Sequence, residues 1–280
     1  MATSEDSADD RLRHLLRERY REEQPAPIAC NATLDVLLSH RSVRAYLPKP
    51  LHQGTLETLI AAAQSASSSS NLQAWSVIAV EDPDRRSRLA ALARNQSHIL
   101  QAPLFLVWLI DLNRLGRLAA ARGEPSEGLD YLESFLMGAV DTSLAAQNAV
   151  VALESLGLGA VYIGAIRNRP AEVSAELGLP PHVFALFGLC VGWPDPAKPA
   201  SVKPRLPNDA VLFRERYNDG QAQRNAIDRY NRHLRSFQQE EGLPAQDWSV
   251  QASDRIRDAK ALHGRHVLRD VLHELGFPLK

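Results

Sequence analysis

Cysteine is almost missing from this chain, with Cys30 and Cys190 as its only two. They stand far apart, and Cys190 lies inside an apolar run. That excludes a disulfide framework and a thiolate metal site, and it fits a reducing, cytoplasmic location. An excess of either charge is also missing. The 32 Lys and Arg nearly balance the 33 Asp and Glu, for a formal net charge of −1. Neither nucleic acid nor an anionic membrane is attracted by bulk electrostatics. No apolar run reaches the roughly 20 residues that a spanning helix needs. The stretch Met1 to Asp10 is acidic and lacks the basic and apolar regions of a signal peptide.

Familiar catalytic signatures are absent as well. The nine histidines form no His-Glu-x-x-His pattern, and His263 and His266 fall on a polar helix that reads as solvated. There is no Gly-x-Ser-x-Gly elbow and no Walker loop. Gly157-Leu158-Gly159 invites a dinucleotide-fold reading, but position 162 is Tyr, and these glycines follow a helix and precede a strand. A Rossmann fingerprint has the opposite order, so that reading fails. With no nucleophile or metal constellation, a bound organic cofactor must supply any chemistry.

What is present is an ordinary globular composition, 45% hydrophobic and 23% charged over 280 residues. Residues 1–30 read as an extension: a charge-dense, solvated helix over Arg11 to Glu23, broken by Gln24-Pro25-Ala26-Pro27. Helices are predicted over Thr33 to Ser39, Leu56 to Ala66 and Pro170 to Leu177. Strands are predicted over Val77 to Val80, Leu104 to Ile110, Ala160 to Ile163 and Val183 to Val191. The longest helical pattern, Leu129 to Leu156, is apolar around most of its circumference, interrupted by Asp141, Gln147 and Asn148. Such a helix is buried on nearly all sides, most simply in a dimer. Beyond Pro207 the texture turns polar, with amphipathic helices over Asp219 to Gln239 and Ser253 to Leu275 that carry little core of their own. The expected organisation is one α+β domain, residues 31–207, with helical additions at 1–30 and 208–280.

Three polar clusters flank this apolar framework. His40-Arg41-Ser42-Val43-Arg44 offers guanidinium groups suited to phosphate or ring carbonyls, or it is a solvated basic turn. In an alternating segment, Ser42 and Arg44 share one side and Arg41 and Val43 the other. Ser67-Ser68-Ser69-Ser70-Asn71-Leu72-Gln73 lies at a helix-to-strand junction, where hydroxyls and free amides suit an oxygen-rich ligand. A flexible linker is the alternative, but one wedged between core elements is uncommon. Lys203-Pro204-Arg205 sets two cations on a proline-stiffened segment, either an anion clamp or a solvated loop.

In order along the chain, these clusters, Gln96, the run from Gln147-Asn148 to Gly164, Phe187 to Pro194, and Lys203 to Pro207 resemble the nitroreductase family of flavin enzymes. The resemblance is to its oxygen-insensitive NAD(P)H nitroreductase and flavin reductase group. It implies a central, mostly antiparallel sheet among helices and a homodimer built on a long central helix. The C-terminal arm would wrap the partner subunit, and FMN would lie at the interface. Lys203 and Arg205 would hold the phosphate, with His40, Arg41 and Ser42 nearby. Arg44 would reach the pyrimidine edge, and Ser68, Ser69 and Ser70 would contact FMN. Gln96 would bond the ring, and Tyr162, Ile163 and Gly164 would form the strand end beside it. The implied activity is two-electron ping-pong transfer from NADPH or NADH to a small-molecule acceptor such as a nitroaromatic or quinone, with no catalytic acid, no metal, no nucleic acid and no membrane. A flavin reductase supplying a monooxygenase, or a flavin-binding protein without turnover, are the alternatives. Two departures stand out. Gly164-Ala165 replaces a pair of glycines. The segment Glu240 to Asp247, in the place of an arginine-containing loop that receives the 2′-phosphate, carries three acidic residues and no basic one.

Overall fold

The computed structural model describes residues 4–23 and 31–280, with side chains from residue 10 onward. The expected break at Gln24 to Pro27, and Cys30, lie outside the described residues. The chain forms two units, residues 42–200 with 263–280 and residues 1–41 with 201–262. The sequence-based divisions fall after residues 30 and 207 instead.

The larger unit holds a four-stranded sheet. β1 (Trp75–Val80), β2 (Leu104–Asp111), β3 (Gly159–Ile163) and β4 (Val183–Gly192) are ordered β1-β2-β4-β3, and every neighbouring pair is antiparallel. The unbroken apolar run of β2 serves two cores. Phe105, Val107 and Leu109 pack with Leu89, Ile99, Val173 and Cys190. Leu104, Leu106 and Trp108 pack with Leu59, Ala145, Ala149 and Leu153 on the other face. Helices Pro83–Leu92 and Pro170–Leu177 cover the first face, and Thr55–Gln64 and Leu132–Ser155 the second. A strand covered on both sides must be apolar at every position. Asp82 ends the loop after β1 and caps helix Pro83–Leu92, accepting the Arg85 N–H at 3.0 Å. The chain is α+β, as expected.

Helix Leu132–Ser155 buries only part of its circumference within this chain. By length and composition alone it is long and apolar enough to cross a membrane. Its packing is that of a core helix: Thr142, Ala145, Ala149 and Leu153 are buried, and so is the carboxylate of Asp141. Leu132, Leu136, Val140 and Leu144 form an exposed column at intervals of four. Gly157, at φ 76, turns the chain out of the helix. Gly159 serves a different need. Ser42 bridges Ala160 in parallel, and the Val43 N–H donates to Ala160 O at 2.9 Å. A Cβ on Gly159 would lie 2.5 Å from Val43 Cγ2 and 2.8 Å from its Cβ. Gly159→Ala is therefore expected to cost about 1–3 kcal/mol by overpacking, read as a shift of the urea midpoint. A cost under about 0.5 kcal/mol, within the range of an ordinary surface change, would mean that the Val43 segment yields freely.

The predicted polar helix from Ser253 to Leu275 is not formed. Helix Trp248–Ile256 is followed by turns at Lys260–Leu262 and Arg265–Val267, then helix Leu268–Glu274, with Gly264 at φ 91 between the turns. The last segment has a core after all. Leu272 and Phe277 are buried with Ile110, Leu112 and Phe184. The Lys280 ammonium pairs with Asp130 at 2.7 Å. Apolar residues set among charges at helical spacing read as solvated, although they face the sheet unit's own end.

The smaller unit contains helices Ser4–Tyr20, Ala32–Leu38 and Gln221–Glu240 and the extended segment 201–207. The first helix is not solvated, contrary to the sequence reading. Leu12 and Leu15 are buried, and Arg19 is 7% exposed. Arg19 donates to Lys203 O at 3.0 Å and, through Nη2, to Leu38 O and His40 O at 2.8 Å each. Arg21 pairs with Glu240 at 2.7 Å, and Arg229 with Asp209 at 2.8 Å. In the segment from Val202, burial alternates. Val202 and Pro204 point inward, while Lys203 and Arg205 are exposed. The Arg205 N–H donates to Arg19 O at 2.9 Å, and the Tyr230 hydroxyl donates to Pro204 O at 3.0 Å.

Candidate functional site

The serine loop is built on Asp141, whose residue is 1% exposed. The Ser68 hydroxyl donates to Asp141 Oδ2 at 2.6 Å, the Ser69 N–H to Oδ1 at 3.0 Å and the Ala74 N–H to Oδ2 at 3.1 Å. Ser68 Oγ also accepts the Gln73 N–H at 2.8 Å. This hydroxyl is therefore committed to the loop itself, while Ser67, Ser69 and Ser70 are exposed. Ser70, Asn71 and Gln73 all have left-handed backbone, at φ 48, 56 and 50. Non-glycine residues hold that conformation only where surrounding bonds impose it. Here the imposing group is the carboxylate on the long helix.

At the C-terminal end of β3 lies a cavity of about 400 Å³. Arg44, Gln96, Tyr162 and Gly164 line it, joined by Arg94, His98, Val161, Ala165, Asn168 and Arg265. Arg44 reaches it because Val43 is buried and its neighbours turn outward. Tyr162 projects from β3 while Ile163 faces the core. Its ring meets Phe187 edge-on, with centroids 5.1 Å apart, and its hydroxyl lies 3.4 Å from Gln147 Oε1. Burial, and then Glu154, push the phenol above its ordinary value. Burial and then Arg44 hold the His98 imidazole below its ordinary value of 6.5. Its Nε2 is buried without a hydrogen-bond partner. The buried Cys190 thiol is pushed up by desolvation and is inert as a nucleophile. Ala165 packs its methyl into the core, at 5% exposure.

The cavity thus unites four of the residues singled out from sequence, Arg44, Gln96, Tyr162 and Gly164. Ser42 is exposed one bridge away, and Ile163 turns its side chain inward. His40, Arg41, Lys203 and Arg205 belong to the smaller unit. There the backbone of His40 and of Lys203 converges on Arg19. Arg41 is exposed and does not share the burial of Val43. Sequence reasoning missed Arg94, His98 and Arg265 in the cavity wall, and Asp141 and Arg19 beneath the loops. Asp141 had a signal, as a lone carboxylate in an apolar helix. Arg19 sat among seven other charged residues between Arg11 and Glu23 and had none.

Comparison with known proteins follows the same lines. Residues 37–193 match the model of the nitroreductase family, and residues 203–280 match the model of its C-terminal domain. An FMN reductase (NADPH) of Bacillus subtilis is 38% identical over 251 residues, covering 88% of this chain and 98% of that protein. An oxygen-insensitive NADPH nitroreductase of Salmonella typhimurium is 38% identical over 247 residues, with the same shares. The solved structure of the NfrA1 nitroreductase from B. subtilis superposes with a TM-score of 0.83 at 36% identity, covering 89% of this chain and all of that one. Both family-model matches and the relatives at 38% identity show that this chain belongs to the nitroreductase family.

Proposed function

We propose that this chain is an FMN-dependent NAD(P)H oxidoreductase working by two-electron ping-pong exchange. Nitroaromatics, quinones or free flavin would be its acceptors. The observation that carries this reading is the cavity at the end of β3, where Arg44, Gln96, Tyr162 and Gly164 converge from separate segments. Its wall suits a flavin ring. It offers a guanidinium and an amide for carbonyl oxygens, and the unpartnered buried Nε2 of His98 still lacks a bond. By the resemblance, Lys203 and Arg205 would hold the phosphate, and His40, Arg41 and Ser42 would also bind FMN. Ser69 and Ser70 would meet the ligand from a loop that Ser68 stiffens. FMN, when bound, relays two electrons from nicotinamide to acceptor. The protein's part is to orient both partners and to set a fixed cation, Arg44, where negative charge gathers. The curated relative named an FMN reductase supports free flavin as one acceptor.

Residues 31–207 are read as the cofactor-binding core and 208–280 as an arm that wraps a partner subunit. The separate match of residues 203–280 to a C-terminal domain supports the arm. A homodimer is the assembly proposed, and the exposed column from Leu132 to Leu144 supports it. The cytoplasm is the compartment proposed. The test is an absorbance spectrum of the purified protein with anaerobic titration by NADH and NADPH. One FMN per subunit, bleached by either nucleotide, is expected. FAD, or no flavin after reconstitution, would overturn the reading.

Nucleotide choice is a separate expectation. Each acidic residue between Glu240 and Asp247 is engaged: Glu240 pairs with Arg21, Glu241 accepts from Ser201 at 2.6 Å, and Asp247 pairs with Arg235. The nearby cations are also engaged. Arg257 pairs with Asp254 at 3.2 Å, and Arg255 donates to Ala261 O. Among the described residues, neither Arg255 nor Arg257 stands uncommitted for a 2′-phosphate. The kcat/KM ratio of NADPH over NADH, with one quinone at low salt, should stay below about a hundredfold, roughly 2.7 kcal/mol. A larger ratio would point to Arg255 and Arg257 breaking their bonds.

A further inference from the structure

Arg94 stands where the backbone asks for glycine. Helix Pro83–Leu92 ends in a Schellman turn, with the Asn95 N–H donating to Ala90 O at 2.8 Å. That turn requires a left-handed residue, and Arg94 has φ 67, followed by Asn95 at φ 53. Glycine takes this conformation without a steric penalty and arginine does not. Non-glycine residues held in this strained backbone conformation concentrate at functional sites. Arg94 lines the cavity, is exposed, and makes no hydrogen bond or ion pair among the described residues.

The rest of the wall strengthens the signal. Arg44 and Arg265 also line the cavity, and among the described residues no carboxylate does. Arg265 is anchored to Asn168 Oδ1 at 2.9 Å. Its guanidinium lies 3.7 Å from where a Cβ on Gly164 would be, and that of Arg167 lies 3.5 Å away. One cation, Arg44, suffices for a flavin ring, and the phosphate is assigned to Lys203 and Arg205. The surplus positive charge at the rim is therefore matched to a visiting molecule. We propose that Arg94 is a specificity residue that selects acceptors bearing an anionic oxygen group, such as a carboxylate or sulfonate, for the FMN site. This rests on the function proposed above. A guanidinium bonds such a group through paired N–H donors, which a neutral amide or alcohol cannot accept equally.

The test uses FMN-loaded protein with Arg94→Gly and Arg94→Lys. Glycine relieves the backbone, so Arg94→Gly should melt no lower than the parent. Benzoate and benzamide are compared as non-reducible ligands by calorimetry. Arg94→Gly should weaken benzoate about tenfold or more, the size of one lost charged hydrogen bond, and benzamide less than about twofold. Arg94→Lys should keep most of the benzoate affinity. In turnover, kcat/KM for 4-nitrobenzoate should fall, while that for 4-nitrobenzyl alcohol holds. Equal losses for charged and neutral ligands would overturn the proposal. So would a loss confined to reduction by NADPH or NADH, or loss of FMN from Arg94→Gly. Failure of the underlying function shows separately, as a parent protein that neither retains FMN nor oxidises NAD(P)H.

Discussion

The double variant Lys203→Ala, Arg205→Ala is expected to lose FMN affinity by roughly 10²- to 10⁴-fold, from two charged hydrogen bonds at about 1.5–3 kcal/mol each. Riboflavin, which lacks the phosphate, should bind nearly as before. The reasoning starts from the alternation along this segment. Buried Val202 and Pro204 fix the backbone, so exposed Lys203 and Arg205 fall on one side, with Arg205 Nη1 donating to Lys203 O at 3.2 Å. Arg19 and Tyr230 hold the carbonyls of Lys203 and Pro204, which removes freedom that a phosphate would otherwise have to restrict. Neither side chain contributes to the core, and the melting temperature of the apoprotein should hardly move. Dialysis against FMN and riboflavin separates the outcomes. Equal losses for both ligands would show that these residues do not meet the phosphate.

Asp141→Ala should be the most damaging single change. It strands three donors in a buried place, the Ser68 hydroxyl and the Ser69 and Ala74 amides. Leaving buried donors unpaired costs about 1–3 kcal/mol each, and partial access to water reduces the whole to about 3–5 kcal/mol. In a chain of this size, that lowers the melting temperature by on the order of 10 °C. The left-handed residues Ser70, Asn71 and Gln73 lose what imposes their conformation, so FMN retention should fail together with stability. Asp141→Asn keeps one acceptor oxygen and should fall between. Calorimetric scans of the three proteins decide the matter. A melting temperature for Asp141→Ala within about 2 °C of the parent, the shift of a sub-kilocalorie change, would mean that water takes over the carboxylate's work.

The elements most legible in the sequence are those whose partners do not matter. Leu104 to Ile110 reads as a doubly covered strand whatever covers it, and Ala160 to Ile163 and Val183 to Val191 read as strands. The long helix was expected within three residues of its real start and one of its end. Four of the ten residues that line the cavity, Arg44, Gln96, Tyr162 and Gly164, were singled out in the sequence by their order along the chain. What escaped depends on contacts between distant segments. Leu12, Leu15, Leu272 and Phe277 sit among charges and reveal their burial only when their partners are known. Asp141 looked like a mere interruption of an apolar pattern. Arg94 follows a helix in a run of ordinary residues, and only its backbone angle marks it as unusual.

Arg19 also sets an order of events during synthesis. Its bond to Lys203 spans 184 positions of chain, whereas its bonds to Leu38 and His40 span 19 and 21. At about 5–20 residues per second, the ribosome delivers Lys203 on the order of 10–40 s after Arg19. All four strands lie between Trp75 and Gly192, so each has been made by then. The nascent chain therefore has its whole sheet available for pairing while this guanidinium is still one carbonyl short. The segment that carries Lys203 and Arg205 is the last piece fastened to it.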